Sequence, residues 1–209
     1  MSNTPKLSYV DVICMLFGVI LFGLAVWKGY LGLDVVFCGV VCFVPTILKF
    51  AKVITFPAPM AFMIMAAAWF HCLGLIMGYY DTYANFDTVS HTLSSAVIAV
   101  LVFYVLVCVE YFSKGTINFA GRGMSIMTAV IALTFSVYWE VLEYGSDVFT
   151  GSKTQYSPYD TLTDLVCDSI GTLLGSAWAG AWMGRRSAKE VIDQFNFNDR
   201  IRSVLGDKE

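Results

Sequence analysis

The sequence predicts an all-α polytopic membrane bundle of about six transmembrane helices, and three observations predict it. Of 209 residues, 57% are hydrophobic and 14% charged, and the mean hydropathy is +0.68, well above the usual soluble range. Apolar stretches that match the roughly 20 helical residues needed to cross a hydrocarbon core recur from one end of the chain to the other. The basic residues are distributed unevenly between the connecting segments, as the positive-inside rule requires of a multi-span protein.

The first apolar segment covers residues 9–27 and the second, shorter and carrying Pro45, covers 33–50. The third, 57–80, contains no Lys, Arg, Asp or Glu. The fourth covers 88–111, the fifth 124–144 and the sixth 160–184. The first reads as a retained helix rather than a cleaved signal peptide. Its apolar core is long, its early basic residue is Lys6, and no small-x-small site follows.

Eleven basic residues fall on one side of this topology: Lys6, Lys49, Lys52, Lys114, Arg122, Arg185, Arg186, Lys189, Arg200, Arg202 and Lys208. Lys28 and Lys153 fall on the other. Both termini are therefore expected in the cytoplasm. Residues 1–184 form the expected six-helix membrane domain. Residues 185–209 form a polar tail in which Ala188, Val191, Ile192, Phe195, Ile201, Val204 and Leu205 recur at helical spacing. That pattern fits an amphipathic helix on the inner membrane surface, or a solvated tail.

Cys14, Cys38, Cys42, Cys72, Cys108 and Cys167 all lie in apolar spans without C-x-x-C spacing and read as small buried hydrophobes. Tyr79, Tyr80, Tyr144, Tyr156 and Tyr159 read as an interfacial aromatic belt, with Tyr80 or Tyr144 placed to touch a substrate. Gly171, Gly175 and Gly180 read as sites of close helix approach.

The functional signal is a set of ionisable residues where lipid should be. Such groups cost about 2.5–3.5 kcal/mol each on insertion scales and face protein or water rather than lipid. The third segment carries His71, and the fourth opens with Asp87 and His91 at i and i+4. The fifth carries Glu140 and Glu143, and the sixth opens with Asp160, Asp164 and Asp168. At about 1.5 Å per residue, all fall within roughly 12 Å of the outer helix ends. Asp87 and Asp160 also fit the bland role of helix N-caps, and His71 that of a hydrogen-bonded core histidine.

No Lys or Arg lies between Lys52 and Lys114, and Lys153 alone lies between Arg122 and Arg185. Six carboxylates without a protein cation leave two outcomes: some protonate, or a bound cation holds them ionised. The echo between Asp87-Thr88-Val89-Ser90-His91 and Asp160-Thr161-Leu162-Thr163-Asp164 suggests a parallel repeat of helices 3–4 and 5–6 with the site between them.

These pieces resemble the YjdF-type family of prokaryotic membrane-spanning proteins, itself distantly similar to VanZ-like proteins. The resemblance spans residues 71–175. It rests on the His71 segment, F-D-T-V-S-H with Asp87 and His91, W-E-V-L-E with Glu140 and Glu143, and D-T-L-T-D-L-V-C-D-S-I-G-T-L-L-G. It implies a prokaryotic cytoplasmic membrane and supports these positions without naming a reaction. Thr88 stands where relatives usually carry a basic residue, so no phosphate-binding role is carried over to that position.

The leading expectation is a divalent-metal-dependent hydrolase acting on a lipid headgroup or an extracytoplasmic small molecule. Its expected ligands are His71, Asp87, His91, Glu143, Asp160, Asp164 and Asp168, with Glu140 and Glu143 as catalytic carboxylates. Mixed imidazole and oxygen donors suit zinc, manganese or iron better than magnesium. A proton- or cation-coupled transporter is the alternative. The inner halves of the helices read as holding few polar groups beyond Glu110, which favours access from outside alone. A structural or assembly role ranks last, because six carboxylates are too many for fixing helix register. No nucleophile elbow, nucleotide loop or basic nucleic-acid face is present.

Overall fold

Helix ends in this chain are set by a few local signals, which place the charged residues along the bundle. The computed structural model describes residues 5–30, 32–83, 85–119, 121–151, 155, 157–195 and 197–205. Lys153, Tyr156, Lys208 and the side chain of Arg200 lie outside the described residues. The elements are α1 (Tyr9–Lys28), α2 (Leu33–Phe50), α3 (Ala58–Met77), α4 (Tyr79–Thr82), α5 (Phe86–Phe112), α6 (Gly121–Thr150), α7 (Pro158–Met183), α8 (Ala188–Ile192) and α9 (Asp199–Val204). No strand occurs among the described residues.

Four helices, α1, α3, α5 and α6, are long and apolar enough to cross a membrane, and α2 adds a shorter apolar stretch, Val35–Phe50. The 26 residues of α7 span about 39 Å at 1.5 Å per residue. Two boundaries differ from the sequence reading. The third span stops at Met77 because Gly78 adopts the left-handed conformation, with φ 69°, a backbone state that glycine enters without a Cβ clash. The fifth runs past Tyr144 to Thr150 and stops at Gly151, with φ 73°. Glu140 therefore lies about 15 Å before the end of α6, farther than the roughly 12 Å expected, whereas Glu143 stays within that distance.

The chain divides into two compact units, Met1–Ala84 with Lys189–Glu209, and Asn85–Ala188. In the first, α1, α2 and α3 pack on one another. Glycines receive aromatic rings reciprocally across the α1–α2 seam: Phe43 lies over Gly18, and Phe22 over Gly39. The Trp69 indole stands edge-on to Phe17, centroids 4.9 Å apart, and donates to the Phe17 carbonyl at 3.0 Å. Buried Asp11 closes a capping box with Ser8, accepts from Thr46 at 3.4 Å and is ion-paired to Lys49. The tail residues belong to this unit. Val191, Ile192 and Phe195 are buried, and Asn198 bonds to the carbonyls of Lys52 and Val53.

In the second unit α5, α6 and α7 form a three-helix bundle. α5 and α7 run parallel: Gly171 faces Thr92, and four residues on, Gly175 faces Ala96 and Ala99. The echoed pentapeptides thus open two neighbouring helices of one bundle, α5 and α7, whereas α3, the expected partner of α5 in the first pair, packs with α1 and α2. A Cβ on Gly171 would strike the Thr92 carbonyl, and one on Gly175 would lie 2.8 Å from the Ala96 carbonyl oxygen. The i, i+4 glycine pair therefore packs as the sequence predicts.

Because those contacts are with backbone, Gly171→Val forces α5 and α7 apart. We expect it to lower the thermal midpoint in detergent, corresponding to about 1–3 kcal/mol of overpacking. Gly123→Ala, where an added Cβ meets nothing within 4 Å, should leave the midpoint unchanged.

Candidate metal centre

The second turn of α5 and the first three turns of α7 run side by side, which brings their charged faces together. Asp87 and His91 share one face of α5, and Asp164 and Asp168 share one face of α7. The antiparallel α6 lays a single narrow stripe against them: Met124, Thr128, Ala132, Ser136 and Glu140, at every fourth residue, are its buried positions. Glu140 is thereby carried to the height of His91.

His91 is the centre of the arrangement. Its Nε2 lies 3.4 Å from Asp87 Oδ1 and 3.9 Å from Asp164 Oδ1. Its Nδ1 lies 3.2 Å from Asp168 Oδ1 and 4.0 Å from Glu140 Oε1. Two groups of three result, Asp87–His91–Asp164 and His91–Glu140–Asp168, each with one ligand atom per residue and all within 4.8 Å of one another. Among the described residues no Lys or Arg is ion-paired with these four carboxylates.

Asp168 is oriented from behind by Ser95, whose hydroxyl donates to Oδ1 at 2.6 Å and lies 3.4 Å from the Ser136 hydroxyl. Glu140 differs from the rest. It is 5% exposed, and neither carboxylate oxygen has a hydrogen-bond partner within 3.5 Å among the described residues. Gln155 bonds to the backbone carbonyl of Glu140 at 3.2 Å and so fixes the main chain beside that carboxylate.

The remaining sequence candidates fall elsewhere. Glu143 is half-buried, and its Oε1 accepts from the Trp139 indole one turn earlier at 2.9 Å. It stands outside both groups of three, whereas Glu140 is inside one. Asp160 occupies the first turn of α7, where its backbone N–H donates to the true N-cap, Ser157, at 3.2 Å. Asp87 is not a cap either: the N-cap of α5 is Asn85, and Asp87 turns its carboxylate to His91. His71 belongs to the first unit, where its Nδ1 lies 2.9 Å from the Tyr80 hydroxyl. The six cysteines are free thiols, and none enters either group.

Sequence reasoning missed the hydroxyls. Ser95, Ser136, Thr128, Thr172 and Ser176 are buried in this bundle, and they lie in or beyond the helix halves expected to hold few polar groups. Their spacing was the available signal: Asp164, Asp168, Thr172 and Ser176 continue one i+4 series along α7, and Glu140, Ser136 and Thr128 fall on another along α6.

Long apolar helices around a buried imidazole–carboxylate cluster define the class, an integral membrane protein with a polar centre inside its helical bundle. Over residues 9–185 the chain matches the family described as predicted membrane protein DUF2238, and it belongs to that family. No curated protein and no solved structure gives a significant match.

Proposed function

We propose that the chain is a six-span protein of the prokaryotic cytoplasmic membrane that holds a divalent cation between α5, α6 and α7. In this reading α2 and α7 complete the set of spans, both termini are cytoplasmic, and the cation acts on a lipid headgroup or an extracytoplasmic substrate. The YjdF-type resemblance over residues 71–175 lies inside the matched segment and is compatible with this placement.

The observation that carries the reading is Glu140. A carboxylate with both oxygens buried and without a hydrogen-bond partner is costly unless something positive meets it. It stands 4.0 Å from a ring nitrogen that is itself 3.2 Å from Asp168. Ligands about 2.0–2.2 Å from a metal ion are separated from one another by roughly 3–4 Å, so His91, Glu140 and Asp168 close on an ion by small side-chain rotations. The nitrogen-plus-oxygen donor set suits zinc, manganese or iron.

A divalent ion held by His91, Glu140 and Asp168 would supply a Lewis acid for a phosphoryl or carbonyl oxygen and an activated water. The protein's own part is geometric. Ser95 holds Asp168, Asp87 and Asp164 restrain the far ring nitrogen, and Glu143, steadied by Trp139, would serve as the proton acceptor. Tyr144, on α6 of the same unit, remains the candidate substrate contact.

A second reading, a proton- or cation-coupled transporter, draws on the fact that both His91 nitrogens face carboxylate oxygens, as an imidazolium with two donors would. Elemental analysis of the purified protein separates the two. The metal reading expects near-stoichiometric divalent metal in wild type, lost in Glu140→Gln and Asp168→Asn while both remain folded. Folded wild-type protein that stays metal-free after incubation with zinc, manganese and iron(II) overturns it and leaves the transporter.

A further inference from the structure

Beyond the carboxylates, the seam of α5, α6 and α7 continues as hydroxyls. On α7 the buried series Asp164, Asp168 passes into Thr172 and Ser176, and on α6 the buried stripe passes from Glu140 through Ser136 and Ala132 to Thr128. The first step is hydrogen-bonded, from Asp168 to Ser95 to Ser136. The next three hydroxyls are Thr172, Thr128 and Ser176, and their oxygens are buried without a hydrogen-bond partner among the described residues.

Five other hydroxyls of these helices differ in this. Thr92, Thr134, Thr150, Thr163 and Ser169 each fold back and donate to the carbonyl four residues earlier, at 2.7–3.0 Å. This is the usual way a helical Ser or Thr satisfies its hydrogen in an apolar setting. Thr128, Thr172 and Ser176 make no such bond, although they are buried positions of α6 and α7. A buried hydroxyl left without a partner costs on the order of the desolvation it has suffered, and ordered water is the common partner where several polar atoms converge.

The series also has an end. Fully buried Phe103 on α5 lies edge-on to Trp178 and Trp182, which follow Ser176 along α7, centroids 6.0 and 5.9 Å away. On α6, Met124, also fully buried, follows Thr128.

We infer that Ser95, Ser136, Thr172, Ser176 and Thr128 bind a column of internal water that extends the carboxylate centre along the bundle axis and is closed by Phe103 and Met124. The ligand class is water, held by neutral hydroxyls. The column gives the centre solvent from within the protein rather than from the lipid side, and it stands whether or not a metal occupies the carboxylates.

Thiol accessibility tests this directly. Ser176→Cys and Thr172→Cys are nearly isosteric and so preserve the fold. Leu173→Cys and Leu174→Cys, exposed on the outer face of the same helix, are the controls, and wild type supplies the background from its own cysteines. In sealed vesicles, a small water-soluble methanethiosulfonate added on the carboxylate side should modify the thiols at 172 and 176 at least tenfold faster than those at 173 and 174. Modification no faster than the controls overturns the column. Equal modification from the opposite side overturns the seal at Phe103 and Met124. Neither result depends on metal content, so failure here and failure of the metal reading are distinguishable.

Discussion

His91→Leu should abolish divalent-cation binding altogether, whereas Asp164→Asn should weaken it far less. One imidazole serves both groups of three, facing Asp87 and Asp164 through Nε2 and Asp168 and Glu140 through Nδ1. Removing it takes a ligand from each. Even partners one bond removed from a metal are worth 10–100-fold in affinity, so loss of a shared direct ligand should cost on the order of a hundredfold or more. Asp164 touches the far nitrogen only. Titration of metal-stripped protein with zinc or manganese, read by calorimetry, checks the contrast. Equal affinities for His91→Leu and wild type would remove the imidazole from the ligand set and with it the proposed centre.

The second large effect belongs to the other unit. Lys49→Met should destabilise the protein by about 3–5 kcal/mol, because it leaves Asp11, 4% exposed, as an uncompensated buried charge. Ser8 and Thr46 remain as hydrogen-bond partners, but neither supplies charge. Lys49→Met combined with Asp11→Leu should recover most of that loss, since replacing a buried ion pair as a whole by apolar side chains is close to neutral. Thermal unfolding of the single and double variants in detergent gives the coupling. A double variant no more stable than Lys49→Met would mean that Asp11 acts through its cap of α1 rather than through the ion pair.

These two sites were legible to different degrees. Asp11 and Lys49 lie on separate helices, and nothing in their spacing announces the pair; it exists because α1 and α2 pack with Gly18 against Phe43 and Gly39 against Phe22. The carboxylate centre was visible as a set. Hydrophobic length placed the helices, and a rise of about 1.5 Å per residue placed the charges roughly along them, with Glu140 displaced by the longer α6. Six carboxylates in apolar spans without a neighbouring Lys or Arg could be read from composition and order alone.

What one-dimensional order leaves open is rotation about each helix axis, and with it the identity of neighbours. Glu140 and Glu143 are three residues apart and share a face only loosely, at about 60° from each other in a helix of 3.6 residues per turn. The α6 stripe that ends in Glu140 is the face turned inward, so Glu140 enters the centre and Glu143 pairs with Trp139. His71 was grouped with the acids by depth, yet it packs in the first unit with Tyr80. The tail showed an amphipathic pattern but not what would cover it; Val191, Ile192 and Phe195 are buried within that same unit. The sequence by itself determined which segments are helices, roughly where along them each charge sits, and that the charges must be met by protons or by a cation. The tertiary structure alone decided which of them meet, because the close approach of α5 to α7 at Gly171 and Gly175 sets the rotation that turns His91 and Ser95 toward Asp168.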